Sequence, residues 1–222
     1  THTAVWEFGD CTPPHPAVVR ETHTAPAGVG LAVATHLYKH CGTFLARCTV
    51  TDDNGGVVSD TLVVQVTDVA NGDFEGGTTG WSCKSCTLSA GAPAQDGAAG
   101  QWTSTSRTAR AQLIQTGISL QPNTTYELSF WASSANGSDI RISLLQHVTP
   151  RTNYGIDNES FDLTTDGQVY THTFTTTGFT LPVSDARLRF QAAKGRGVQY
   201  SIDNITLTTT DGPPPPPPPD GD

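Results

Sequence analysis

No segment of this chain repeats its apolar residues at helical spacing, whereas segment after segment alternates apolar and polar residues between turn formers; that restricts the fold to sheet. In Tyr126-Glu-Leu-Ser-Phe-Trp-Ala132, the residues Tyr126, Leu128, Phe130 and Ala132 share one face, and Glu127, Ser129 and Trp131 the other. Asp139–Gln146 likewise turns Ile140, Ile142 and Leu144 inward and Arg141 and Ser143 outward. Arg187–Ala192 buries Leu188, Phe190 and Ala192 and displays Arg187, Arg189 and Gln191. The expected class is all-β.

At 222 residues the chain is long enough for two domains, each with its own core. A strand-like run, Thr61–Thr67, ends in Asp-Val-Ala-Asn-Gly, which places a boundary near Thr67–Ala70 and gives domains 1–68 and 69–210. Residues 211–222 contain seven consecutive prolines, which remove backbone donors and fix φ, so a polyproline II spacer is expected. Such a spacer implies further domains of the same parent chain; a disordered tail is the plainer alternative.

Twelve Lys plus Arg against twenty-one Asp plus Glu give a formal net charge of −9, which disfavours nucleic acid and anionic membrane as partners. No run approaches a membrane span, and the first residues lack the pattern of a signal peptide, as expected of a mature or excised chain. Abundant Thr, Ser, Gly and Val, absent Met and five cysteines suit a secreted or cell-surface protein of bacterial type. Cys83-Lys-Ser-Cys86 reads as a small loop-pinning disulfide, and Cys48, in parity with Phe44 and Val50, as a small core residue. His36, His40 and Cys41 could suggest zinc, but in a strand-and-turn segment their spacing does not converge the side chains.

The first domain carries Trp6-Glu-Phe-Gly-Asp10 followed by Cys11, then His36-Leu-Tyr38 and Gly42-Thr-Phe44. This order and spacing resembles the PKD domain, an immunoglobulin-like sandwich, with Cys11 in place of a glycine and Phe44 at the last aromatic position. The strands that normally precede the tryptophan are nearly absent and an insertion runs from Pro13 to Ala34, so the domain reads as truncated at its start. The resemblance implies a spacer or weak binding module, and a Cys11–Cys41 disulfide between segments that the family brings together.

The second domain opens with Asn71-Gly-Asp-Phe-Glu-Gly-Gly77 and Gly80-Trp81, continues through Tyr126–Trp131 and closes with Tyr200-Ser-Ile-Asp-Asn-Ile-Thr-Leu207. That frame resembles the β-jelly-roll (galactose-binding-like) carbohydrate-binding modules of families 4, 9, 16 and 22. The resemblance implies that the terminal motifs lie side by side and share a structural calcium, with Asp73, Glu75 and Asp203 at the matching positions. Asp96, in Gln95-Asp-Gly97, is either a further ligand or a turn initiator.

Sugar recognition needs flat aromatic faces and planar polar side chains in a partly dry groove. Trp102 and Tyr154 sit in polar, loop-like contexts, and Trp131 faces away from the core by parity, so these three are the candidate platforms. Each has a structural alternative: Trp131 as a cover under a loop, Tyr154 as a staple of a turn. Gln112 and Gln115 on Arg110–Gln115, with Arg141, Arg189 and Gln191, are the polar candidates. Trp81 is expected to plug one end of the core. Neither a facing carboxylate pair nor a nucleophile with a histidine is visible, and Glu159 and Asp162 lack partners, so a non-enzymatic role is expected. The expected function is polysaccharide binding (β-glucan, mannan, xylan or similar) within a larger secreted polysaccharide-active protein. The alternative is a pair of structural or adhesive spacer modules on a cell surface.

Overall fold

The structure, a computed structural model, describes residues 2–22, 29–38, 42–105, 110–193 and 196–210. Its regular elements are all strands: β1 (His2–Glu7), β2 (His15–Pro16), β3 (Val18–Thr22), β4 (Val29–Val33), β5 (Gly42–Asp52), β6 (Val57–Val66), β7 (Ser82–Lys84), β8 (Cys86–Gly91), β9 (Ala99–Ser104), β10 (Gln112–Leu120), β11 (Thr125–Ser134), β12 (Ile140–Gln146), β13 (Asn153–Phe161), β14 (Gln168–Thr175), β15 (Val183–Ala192) and β16 (Gln199–Thr209). Two compact units divide between Val66 and Thr67. The proline segment, 211–222, lies outside the described residues, as do His40 and Cys41 and therefore the Cys11–Cys41 pairing.

The first unit is a four-stranded sheet in the order β2-β1-β5-β6 beside a β3–β4 hairpin. The two segments singled out in the sequence meet here, although 26 residues separate Asp10 from His36. Nε2 of His36 lies 2.6 Å from the Asp10 carboxylate, its ring stacks on Phe8 at 4.1 Å, and the Tyr38 hydroxyl donates to the Phe8 carbonyl at 3.1 Å. Burial pushes the Asp10 carboxyl up, but hydrogen bonds from Thr12 and His36 outweigh it and hold it below the usual carboxylate range. His36 is thus engaged by Asp10 and Phe8. Cys48 is half-buried opposite Asp60, and burial raises its thiol pKa.

The second unit stacks two five-stranded sheets, β13-β12-β15-β10-β7 and β14-β11-β16-β9-β8. Alternation supplies the filling: Leu113, Ile142, Leu188 and Phe190 from the first sheet and Leu128, Phe130, Ile202 and Leu207 from the second are each at most 1% exposed. Phe130 meets Phe190 edge-on at 5.6 Å across the gap.

The terminal motifs lie side by side, as the resemblance implied. Leu207 donates its N–H to the Thr67 hydroxyl at 2.9 Å, and Ile205 donates to the Gly72 carbonyl at 3.0 Å. Gly72 is required there, because a Cβ would run into the Ile205 carbonyl oxygen. Asn71 organises the turn, donating to the carbonyls of Gly77 and Thr79 and accepting from the Gly76 N–H. The turn aims Phe74 into the core against Trp81, at 5.3 Å, and the Trp81 indole donates to the Asn71 carbonyl. Trp81 therefore closes one end of the core, as expected.

Candidate functional site: an open sheet face with a basic cavity

The sheet β13-β12-β15-β10-β7 turns one face to the core; the other, the open face, is exposed toward its rim, while Ile114, Ser143, Leu145 and Arg187 on it are at most 9% exposed. Residues opposite one another in an antiparallel ladder point to the same side, so the registers read out the open face in rows. One row runs Lys84, Gln112, Gln191, Arg141; the next runs Ser82, Ile114, Arg189, Ser143; a third runs Thr116, Arg187, Leu145. Gln112 donates its side-chain amide to Gln191 at 3.2 Å, and Arg189 donates to the Ser143 hydroxyl at 2.8 Å. Four of the residues singled out in the sequence, Gln112, Arg141, Arg189 and Gln191, are brought to this face, the outcome that strand parity dictates.

Across this face opens a cavity of about 360 Å³ lined by Lys84, Gln112, Leu145, Arg151, Arg187 and Arg189. Sequence reasoning missed Lys84 and Arg151 and did not weigh Arg187 as a site residue. Arg187 had a signal, since it shares parity with Arg189. Lys84 lies inside the Cys83–Cys86 disulfide that the sequence did indicate, on a three-residue edge strand too short to show alternation. Arg151 stands in the β12–β13 loop with φ of 62°, a position no periodicity could place.

Tyr154 is not a platform. It is 3% exposed on β13, in edge contact with Phe179 at 4.8 Å, and its hydroxyl donates to Asp185 at 3.0 Å. Asp185 also accepts from the Gln146 amide at 3.2 Å, and Gln146 N–H donates to the Thr152 carbonyl at 2.8 Å. This network fastens both ends of the loop that carries Arg151. Burial first, then the Asp185 hydrogen bond and charge, push the Tyr154 phenol up to about 12. A raised folded-state pKa gives stability that is complete below the unfolded value near 10 and is lost as pH rises through about 12, at most roughly 2–3 kcal/mol. Melting temperatures between pH 9 and pH 12 should therefore fall more steeply for the parent chain than for Tyr154→Phe, and parallel curves would remove this role.

Trp102 and Trp131 are corrected likewise. Gly100-Gln-Trp-Thr is strand, not loop: β9 alternates, and its core side carries Gly100 and Trp102, the latter 1% exposed and stacked on Tyr200 at 4.6 Å. Trp131 belongs to the opposite sheet. Its parity holds, since it pairs with Val169 while Phe130 and Ala132 face the core, but the turn at Gly167 covers the ring, which is 8% exposed and would be struck by a Cβ at that position; it is the cover under a loop. Gln115 is 3% exposed and pairs with Ala70 in both directions, accepting its N–H at 2.9 Å and donating to its carbonyl at 2.7 Å. It ties the terminal motif to β10 from the core side, where it pairs with Leu188, and so does not reach the face that carries the other candidates.

The acidic residues sit round one loop. Asp203, fully buried, accepts the N–H groups of Gln95 and Asp96 on one oxygen and of Asn204 on the other, while Glu75 accepts from Ala98 at 2.7 Å. Asp73 accepts from Glu75 N–H at 3.4 Å. Among the described residues no three acidic, histidine or cysteine side chains converge on one point. The carboxylates alone therefore form no cation cage, because they are turned toward backbone amides. Were a calcium ion held at this end, Asp203 with the nearby Asp96 would be the acids to supply charge. Burial raises the Asp203 pKa, backbone hydrogen bonds lower it in part, and the nearby Asp96 charge adds to the rise.

Residues 68–197 match the family model described as "Carbohydrate binding domain". Solved structures similar to this chain include one described as "CBM4 structure and function" (21% identity, TM-score 0.49, covering 61% of this chain and 99% of that one). Another is a "Family 16 Carbohydrate Binding Module-2" (26% identity, TM-score 0.49, 63% of this chain and 98% of that one). A third is the enzymatically active domain of tailspike protein 4 of bacteriophage CBA120 (16% identity, TM-score 0.51, 64% of this chain and 21% of that one). No curated protein matches the chain.

Proposed function

We propose, from the premise that this chain belongs to the carbohydrate binding domain family over residues 68–197, that its second domain holds a polysaccharide on the open face of β13-β12-β15-β10-β7 without catalysing its cleavage. The observation that carries this placement is the cavity on that face, with the Gln112–Gln191 amide pair and Arg189 presenting planar polar groups beside Leu145. Planar donors and acceptors beside a small apolar patch suit sugar hydroxyls and ring C–H groups, and the volume lies in the range of roughly 300–1,000 Å³ usual for ligand sites. The lining residues include neither a carboxylate pair nor a nucleophile, which favours holding over cleaving.

The test is affinity electrophoresis of the whole chain through gels containing β-glucan, mannan, xylan or acidic algal and plant polysaccharides. At least one should retard it, and Gln191→Ala should weaken that retardation by about three- to tenfold, the loss of one or two hydrogen bonds. Retardation by none would favour the adhesive or spacer reading.

Two subsidiary proposals concern the rest of the chain. A PKD-like first domain is supported by the meeting of Trp6–Asp10 with His36–Tyr38, and an extracellular setting by the Cys83–Cys86 disulfide. Structural calcium is supported by Asp203, a fully buried carboxylate beside a second acid. If calcium binds, adding it at a hundredfold excess over its Kd to chelator-treated protein should stabilise the second domain by about 2.7 kcal/mol. Superimposable melting curves with and without calcium would exclude it.

A further inference from the structure

The cavity on the open face concentrates positive charge to a degree the rest of the chain does not predict. The formal net charge is −9, with only twelve lysines and arginines in 222 residues, yet Lys84, Arg151, Arg187 and Arg189 line one cavity. Arg141 stands on the same face, opposite Gln191. None of the lining residues is acidic, and none is aromatic. Asp157 is the acid that acts on Arg189, and it only partly offsets the neighbouring cations.

The guanidiniums are satisfied by the protein only in part, Arg189 donating to Ser143. Arg187 is 7% exposed and its Nε, like that of Arg189, is buried without a hydrogen-bond acceptor. Burial first, and then the charges of Arg151 and Arg189, lower the Arg187 pKa; burial and Arg151 do the same for Arg189. Like charges gathered in a half-dry cleft cost free energy, and an unpaired buried donor costs about 1–3 kcal/mol more. The arrangement is nonetheless actively held: Arg187 and Arg189 project from one side of a central strand, the Tyr154–Asp185–Gln146 network fastens the Arg151 loop, and a disulfide brackets Lys84.

We propose that this cavity selects polysaccharides bearing anionic groups, the carboxylate of a uronic acid or a sulfate ester, over neutral glycans. This rests on the reading of the open face as the sugar site. Guanidinium forks match the planar carboxylate and the sulfate oxygens through paired N–H···O bonds, and such charge-assisted bonds are about twice as strong as neutral ones. The absence of an aromatic ring from the lining points the same way, because an uncharged pyranose would have no flat face to stack on there, whereas an anion needs none. Nucleic acid is the other polyanion, but a single strand is held by stacking its bases on aromatic side chains as well as by charge, and the lining of this cavity offers none.

The experiment uses the whole chain and measures binding by calorimetry and affinity electrophoresis to polygalacturonate, its carboxyl-reduced counterpart, a sulfated galactan, a neutral β-glucan and single-stranded DNA. The polygalacturonate or the sulfated galactan should bind at least about tenfold more tightly than the carboxyl-reduced polymer, and raising salt from about 50 to about 300 mM should weaken that binding severalfold. The two charged polymers distinguish uronate from sulfate, and preference for either supports the proposal. Arg189→Gln should remove the preference, with the exposed Lys84→Gln reducing it as a second variant in case the first disturbs folding. Equal binding of charged and neutral polymers, unaffected by either variant, overturns anion selection while leaving the sugar site standing. Binding of none of the glycans overturns both readings, and DNA bound as tightly as the best glycan overturns the proposal in favour of a general polyanion surface.

Discussion

Trp102→Ala is expected to lower the stability of the second domain by about 3–5 kcal/mol, the range for truncating a fully buried large aromatic. The indole is 1% exposed and stacked on Tyr200, on the core side of β9 and β16. Removing it leaves a void between the sheets that rigid strand backbones cannot collapse to fill. At about 3 °C per kcal/mol for a unit of this size, the melting temperature should drop by roughly 10–15 °C. Trp102→Phe keeps a ring on Tyr200 and should cost less, while glycan affinity stays unchanged. The measurement is thermal unfolding followed by circular dichroism, paired with affinity electrophoresis of the phenylalanine variant. A Trp102→Phe protein that melts normally but loses its glycan would return the ring to the ligand site.

Phe74→Ala should be similarly severe, about 3–5 kcal/mol, for a different reason. Phe74 sits in a turn at φ of 54°, an unfavourable conformation for a residue with a side chain, and what holds it there is complete burial of the ring against Trp81 and Gly100. Truncation therefore removes core volume and releases the turn that Asn71 organises. Gly100 provides the check. A methyl group there would collide with the Phe74 ring, so Gly100→Ala alone should cost about 1–3 kcal/mol. Combined with Phe74→Ala, the same methyl enters the vacated space. The urea midpoint of the double variant should accordingly lie above the value expected from adding the two single losses. Strict additivity would show that the two positions do not share one packing site.

The corrected residues divide along a physical line. Strand parity placed Arg141, Arg189 and Gln191 on one face correctly because β12 and β15 pair in continuous register from Ile140 to Gln146, so each step of one residue flips the side chain. The same rule held at Trp131, but outward parity did not mean exposure there, because the turn at Gly167 folds over the ring. It went unused at Trp102, whose strand is short and carries glycine and serine, and at Tyr154, where the polar neighbours of a largely exposed edge strand made it resemble a loop. Gln115 shows a further limit: it stands on the core side of β10, paired with Leu188, where a polar side chain is satisfied by a backbone partner 45 residues away.

What the sequence by itself determined was the all-β class and the face to which its long strands turn their side chains, because alternation is a local property; the adjacency of the terminal motifs was implied by the family resemblance, and the structure bears it out. What only the tertiary structure decided was the chemistry of the open face. Lys84 arrives on an edge strand held by a disulfide, Arg151 in a loop fastened through Asp185, and Arg187 and Arg189 from a central strand, so their shared cavity exists only after three distant segments have packed together. Charge adds up in space, not along the chain, and a strongly acidic sequence can therefore fold so as to present a basic cleft.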